Sequence, residues 1–203
     1  MKVKICGITN KSDAFAAVDF GADAVGFILF SGSRRHIEPA CALEIARQLP
    51  PFVQRVAVTV NMPVEELREL DATRVFDLWQ LHGEESPAHC ELLQPRRLIK
   101  ALGLPLAGGV NPSAYAAEAF LLDTADPARG GTGRIFDWSL ALDFKSRTPK
   151  PCILSGGLNP DNVGDAIRVV QPFAVDVSSG VEQSPGVKDH KKMKEFIGLC
   201  HRP

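Results

Sequence analysis

The sequence lacks several of the marks by which a function class is often read. It has no CxxC pair. Its five cysteines, Cys6, Cys41, Cys90, Cys152 and Cys200, are odd in number and scattered, which argues against a disulfide framework and a zinc-finger pattern. A reducing cytoplasm is the expected setting. It has no surplus of either charge: the formal net charge is -1, so neither nucleic acid nor an anionic membrane is expected as a partner. No apolar run approaches the ~18 residues of a membrane span. A strand pattern begins at Val3, so no signal peptide is expected. No linker, low-complexity tract, charge block or obvious repeat marks a second domain.

What is present is ordinary globular material. The 203 residues are 45% hydrophobic and 23% charged, enough for a sizeable core in one expected domain spanning 1–203. Short apolar runs alternate with helical patterns along the whole chain. The expected strands end in Cys6, then cover Ala24 to Phe30, Arg55 to Val60, Val75 to Leu81, Arg97 to Ala101, Glu118 to Asp123, Cys152 to Ser155 and Phe173 to Val177. Between them helices are expected from a Ser12 or Asp13 cap to Phe20, Pro39 to Leu49, Pro63 to Leu70, Pro87 to Leu93, Pro112 to Ala119, Trp138 to Phe144, Asn159 to Val170 and Val187 to Leu199. Gly103 to Asn111 reads as a loop, and Gly130-Gly131-Thr132-Gly133 as a glycine-rich one. Strict alternation with nearly continuous apolar strands implies a parallel sheet covered on both faces. Eight such units favour a closed (β/α)8 TIM barrel over an open sheet, although the chain is short for one.

Fold alone does not give function. In this architecture the site lies where the strands end, and there the chain carries Cys6, the Ser33-Arg34-Arg35-His36 loop, Asn61, His82, Asp123, Ser155-Gly156-Gly157 and Ser178-Ser179-Gly180. The last two loops suit a phosphate, because glycines let backbone N–H groups come close to an anion. Cys6 alone among the cysteines ends a strand at the mouth, where a thiolate can act as base or nucleophile. The other four read as inert. Asp123 closes an otherwise apolar run; a partly desolvated carboxyl there can donate a proton. Asp176 shares the parity of Ser178 and so faces the mouth with it, either as a core carboxylate or as a substrate contact. Arg34 and Arg35 offer a fork for a carboxylate, at least one of the two being simply solvated. His82, with no partner close in sequence, reads as structural.

The segments Lys4-Ile5-Cys6-Gly7-Ile8-Thr9, Gln80-Leu81-His82-Gly83-Glu84-Glu85, Leu154-Ser155-Gly156-Gly157-Leu158 and Val175-Asp176-Val177-Ser178-Ser179-Gly180-Val181-Glu182 resemble, in order and nearly end to end, the phosphoribosylanthranilate isomerases of tryptophan biosynthesis. So do Gly21 to Phe27, Leu121 to Thr124 and Phe136 to Trp138. The resemblance implies an Amadori rearrangement of N-(5-phosphoribosyl)anthranilate to the 1-deoxyribulose 5-phosphate. It implies Asp123 as general acid and Cys6 as general base. It places Arg35 on the anthranilate carboxylate, Asp176 on the ribose or amine, and Gly156, Gly157, Ser178, Ser179 and Gly180 on the phosphate. It implies no cofactor and no metal, a small phosphorylated substrate as partner, and a monomer or homodimer. Two other readings stay open. A histidine-pathway aldose–ketose isomerase or a metal-dependent epimerase would need an aspartate in place of Cys6 or further metal ligands. A non-catalytic binder of phosphorylated metabolites could dispense with Cys6 and Asp123.

Overall fold

The structure is a computed structural model describing residues 1–106, 110–125 and 137–201. Eight parallel strands close into a barrel in sequence order. They are β1 (Lys2–Cys6), β2 (Ala24–Ile28), β3 (Gln54–Thr59), β4 (Leu78–Leu81), β5 (Leu98–Leu104), β6 (Ala119–Thr124), β7 (Cys152–Leu154) and β8 (Ala174–Val177). Closure comes from β1, which pairs β2 on one side and β8 on the other. Helices α1 (Lys11–Asp19), α2 (Pro39–Arg47), α3 (Val64–Asp71), α4 (Pro87–Leu92), α5 (Ser139–Ser146), α6 (Val163–Val170) and α7 (His190–Cys200) surround it. Two short antiparallel strands, β9 (Glu182–Ser184) and β10 (Val187–Lys188), follow β8.

Each strand sends alternate side chains inward and outward. The outward set, with Val3, Ile5, Val25, Phe27, Trp79, Leu81, Phe120 and Leu122, packs under the helices as the main core. The lower barrel interior is filled by Ile99, Ala101, Ala119, Leu121, Ile153 and Ala174. No helix among the described residues is long and apolar enough to cross a membrane.

Local differences from the sequence expectation have physical causes. Asn10 caps α1 instead of Ser12 or Asp13, its side chain accepting from Asp13 N at 2.9 Å. β4 starts at Leu78 rather than Val75, because Asp77 turns aside to accept from the Arg55 backbone N–H and guanidinium. β5 runs through Gly103 to Leu104, since the pairing Gly103↔Asp123 continues the ladder where a loop was expected. The helix expected over Pro112 to Ala119 is only a 3-10 turn, Pro112–Ala114, from which Tyr115 leaves in extended geometry toward β6. α6 begins at Val163 because Asn159 to Asn162 form a turn in which Asn162 Oδ1 accepts from Asn159 N. α7 starts at His190, since Val187 and Lys188 belong to a strand and Asp189 caps the helix by accepting from Lys191 N and Lys192 N. The expected loop Gly130 to Gly133 lies outside the described residues.

Candidate active site

A cavity of about 310 Å3 opens at the C-terminal ends of the strands. Cys6, Arg35, His82, Asp123, Asp176, Gly156, Gly157, Ser178 and Ser179 all line it. These residues are spread over the chain from its first strand to its last, and barrel closure brings them together. Gly180 is the one proposed contact that stands back from the cavity wall. A Cβ there would fall 1.9 Å from the Leu158 carbonyl oxygen, so its lack of a side chain lets the loops after β7 and β8 press together. Asn61 also turns away: its backbone N–H donates to Glu85 and its side chain accepts from Glu84 N.

The loop after β7 is shaped by Gly156 and Gly157, whose φ values of +82° and +68° are open to glycine at little cost. This turns the loop tightly against the end of β6, and a Cβ at Gly156 would meet Thr124 N at 2.8 Å. The Ser178 hydroxyl is buried without a hydrogen-bond partner among the described residues. A buried hydroxyl left unpaired is costly, and this one lies toward Gly7, where a Cβ would fall 2.9 Å from it.

Cys6 is buried at the end of β1, the strand that pairs with β8. Burial pushes its thiol up, Lys4 works against that, Asp176 reinforces it, and the net direction is upward. Lys4 lies below it in the barrel, with Nζ 2.6 Å from Asp176 Oδ1. Asp176 Oδ2 accepts from Ser155 Oγ at 3.2 Å. Burial alone would pull the Lys4 ammonium down, but Asp176 and Cys6 outweigh it and hold Lys4 above its ordinary value.

Arg35 is buried and Arg34 exposed, so the solvated member of the pair is Arg34. The Arg35 guanidinium is engaged side-on by Glu182, with Nε 2.9 Å from Oε1 and Nη2 2.7 Å from Oε2, which leaves Nη1 outside this pair. Glu182 also accepts from Lys188 Nζ at 2.9 Å. Lys188 Nζ donates further to the carbonyl oxygens of Cys6, at 2.6 Å, and Ser178, at 3.2 Å. Burial would raise Glu182, yet Arg35 and Lys188 bring it below the ordinary carboxylate value. Burial draws Lys188 down despite Glu182.

Asp123 is half-buried, with Oδ1 accepting from Thr124 N at 2.7 Å and Oδ2 3.4 Å from His82 Nε2. His82 Nδ1 lies 2.8 Å from Gln80 Nε2. His82, read from sequence as structural, is therefore beside the carboxyl. Its position just past a strand end, in step with Gln80, was the available signal. Lys4 carried a similar one, a lysine inside a buried strand two residues before Cys6. Lys188 and Glu182 carried none, since neither sits on an expected strand. No group of three or more His, Cys, Asp or Glu among the described residues could hold a metal ion.

The chain is similar to known proteins over nearly its whole length. The family model described as N-(5'phosphoribosyl)anthranilate (PRA) isomerase matches residues 3–198. The N-(5'-phosphoribosyl)anthranilate isomerase of Pelobacter propionicus is 47% identical, over 98% of this chain and 95% of its own length. The crystal structure of phosphoribosyl anthranilate isomerase from Thermus thermophilus is 38% identical, covers 98% of both chains and superposes with a TM-score of 0.90. A further structure, 43% identical over 98% of this chain and 97% of that one, with a TM-score of 0.82, holds a phosphoribosyl anthranilate isomerase in complex with reduced 1-(o-carboxyphenylamino)-1-deoxyribulose 5-phosphate.

Proposed function

The chain belongs to the N-(5'-phosphoribosyl)anthranilate isomerase family, and from that premise we propose that it converts N-(5-phosphoribosyl)anthranilate to 1-(2-carboxyphenylamino)-1-deoxyribulose 5-phosphate in tryptophan biosynthesis. The observation that carries the reading is the convergence of Cys6, Asp123 and the two glycine-bearing loops on one cavity. Asp123, as general acid, protonates the ribose ring oxygen and the furanose opens to a Schiff base. Cys6, as general base, takes the proton from C2. The C–H pair becomes the C=C bond of an enolamine, which then tautomerises to the ketone. The rearrangement moves protons between carbon, nitrogen and oxygen and has no redox partner, so one acid and one base can perform it.

The remaining residues hold the substrate. Gly156, Gly157, Ser178 and Ser179 form the phosphate end, where the unpaired Ser178 hydroxyl supplies a donor, and Gly180 lets the two loops that carry them close together. Arg35 meets the anthranilate carboxylate through the guanidinium edge not taken by Glu182. Asp176 contacts the ribose or the amine. The whole chain, 1–203, acts as one barrel domain.

The test is direct. Purified protein is given N-(5-phosphoribosyl)anthranilate generated in situ, and the gene is placed in a host lacking this isomerase. Turnover and growth without tryptophan are expected. A folded, well-expressed protein that binds the substrate yet neither turns it over nor rescues growth would be a binder of phosphorylated metabolites instead.

A further inference from the structure

Lys4 and Cys6 sit two residues apart on β1 and point to the same side, into the barrel. Lys4 is only 4% exposed, an unfavourable place for an ammonium without a partner. The partner is Asp176, opposite it in register on β8 and 2.6 Å away. A lysine–aspartate pair could hold β1 to β8 and do nothing more. What β2 contributes points further. Opposite Cys6 it presents Gly26, where a Cβ would fall 2.8 Å from Cys6 Sγ and 3.1 Å from Lys4 Nζ. Sulfur and ammonium are thus gathered over one position of β2 that has no side chain.

The charges facing Cys6 can be named element by element. β1 supplies Lys4, and β8 supplies Asp176. β10 supplies Lys188, whose Nζ is bonded to the Cys6 carbonyl oxygen rather than the sulfur. β2 and β3 supply Gly26, Val56 and Val58, which carry no charge. Farther round the cavity stand Arg35, His82 and Asp123. Burial drives the thiol up, and Lys4 opposes it more than any other group.

We propose that Lys4 is the positioning residue of the base: clamped by Asp176 beneath Cys6, its ammonium is the countercharge against which the Cys6 thiolate forms. The inference rests on the reading of Cys6 as base. For the base to act, the Cys6 S–H bond breaks and its proton leaves to water in the mouth. The electron pair stays on sulfur, facing Lys4. That pair then forms the new S–H bond when the C2 proton is taken. Lys4 remains protonated throughout, because Asp176 holds it so.

The test compares Lys4→Met with the double variant Lys4→Met/Asp176→Asn, which avoids stranding a buried carboxylate should the single variant misfold. The ultraviolet thiolate absorbance of each resting enzyme is followed against pH, with its Cys6→Ser counterpart as blank. The pH profile of kcat/KM is measured in parallel. In Lys4→Met the Cys6 midpoint is expected to rise by about one pH unit or more, with about tenfold less activity on the acid limb and partial recovery in alkali. The double variant should move in the same direction by less, since it also loses the opposing influence of Asp176. A merely structural lysine would lower activity alike at every pH. An unmoved absorbance midpoint in both variants overturns the role of Lys4, whatever the activity. A midpoint that moves while the kinetic limb stays still upholds Lys4 as countercharge and overturns Cys6 as the base.

Discussion

Around Cys6 the charged side chains are sunk in the protein, whereas across the cavity they are wet. Lys4, Asp176, Arg35, Glu182 and Lys188 have side chains no more than 7% exposed. His82 and Asp123 keep 18% and 13%. The first group falls into two sets: Lys4 with Asp176 joins β1 to β8, and Arg35, Glu182 and Lys188 join the loop after β2, β9 and β10 to the carbonyl oxygens of Cys6 and Ser178. The second is a looser contact of 3.4 Å at the ends of β4 and β6. The contrast suits the two roles proposed for Cys6 and Asp123. Fixed charges act strongly only where water is excluded, so there Lys4 can oppose the rise that burial imposes on the thiol. A carboxyl that gives up a proton in each turnover needs a way to regain one from solvent, and half-burial leaves it that way.

The strongest way to break this contrast is at its centre. Cys6→Ala should lower kcat by about 10³-fold or more while circular dichroism and thermal melting stay close to the parent, since general-base removal costs roughly 10²–10⁴. Near-normal turnover would remove Cys6 as base. Asp123→Asn is nearly isosteric and should cost about 10²–10³ in kcat with KM little changed. A mild effect would hand the acid role to His82.

A smaller effect sharpens the boundary between network and ligand. Arg35→Ala should weaken binding of anthranilate-bearing ligands by roughly 10–100-fold, the worth of a charge-assisted contact. Simple sugar phosphates should weaken less, and equal weakening of both would place Arg35 wholly in the Glu182 pair. The smallest effect is on stability in acid. Glu182 and Glu85 are both held below their ordinary value of 4.5, burial being outweighed by Arg35 and Lys188 in one and by Lys100 in the other. A carboxyl whose folded pKa is depressed contributes stability above its unfolded pKa and loses it as pH falls through the folded value. Denaturant unfolding free energy should therefore hold steady above pH 4.5 and decline below it. In Glu182→Gln that decline should be shallower; an unchanged slope would mean that the pair contributes little.

The strand–helix alternation was legible because buried strands announce themselves as short apolar runs and each was placed within a few residues. The errors fell where a local contact overruled a propensity. Asp77 bent the start of β4, pairing with β6 drew Gly103 into β5, and the strand at Lys188 delayed α7. The candidate site was legible in the same manner, because parallel strands deliver their last residues to one mouth. Cys6, Asp123, the glycine turns and Asp176 could be named from strand ends and parity alone.

The sequence by itself determined the order of the barrel strands, the closed parallel barrel and most of the side chains that reach the mouth, because these depend on periodicity along the chain, which any single strand or helix carries within itself. Only the tertiary structure decided the partners: Lys4 with Asp176, Arg35 and Lys188 with Glu182, His82 with Asp123. These pairings join residues as many as 172 positions apart. No local pattern encodes them, since they arise from barrel register and from the exclusion of water, which obliges each buried charge to find its opposite.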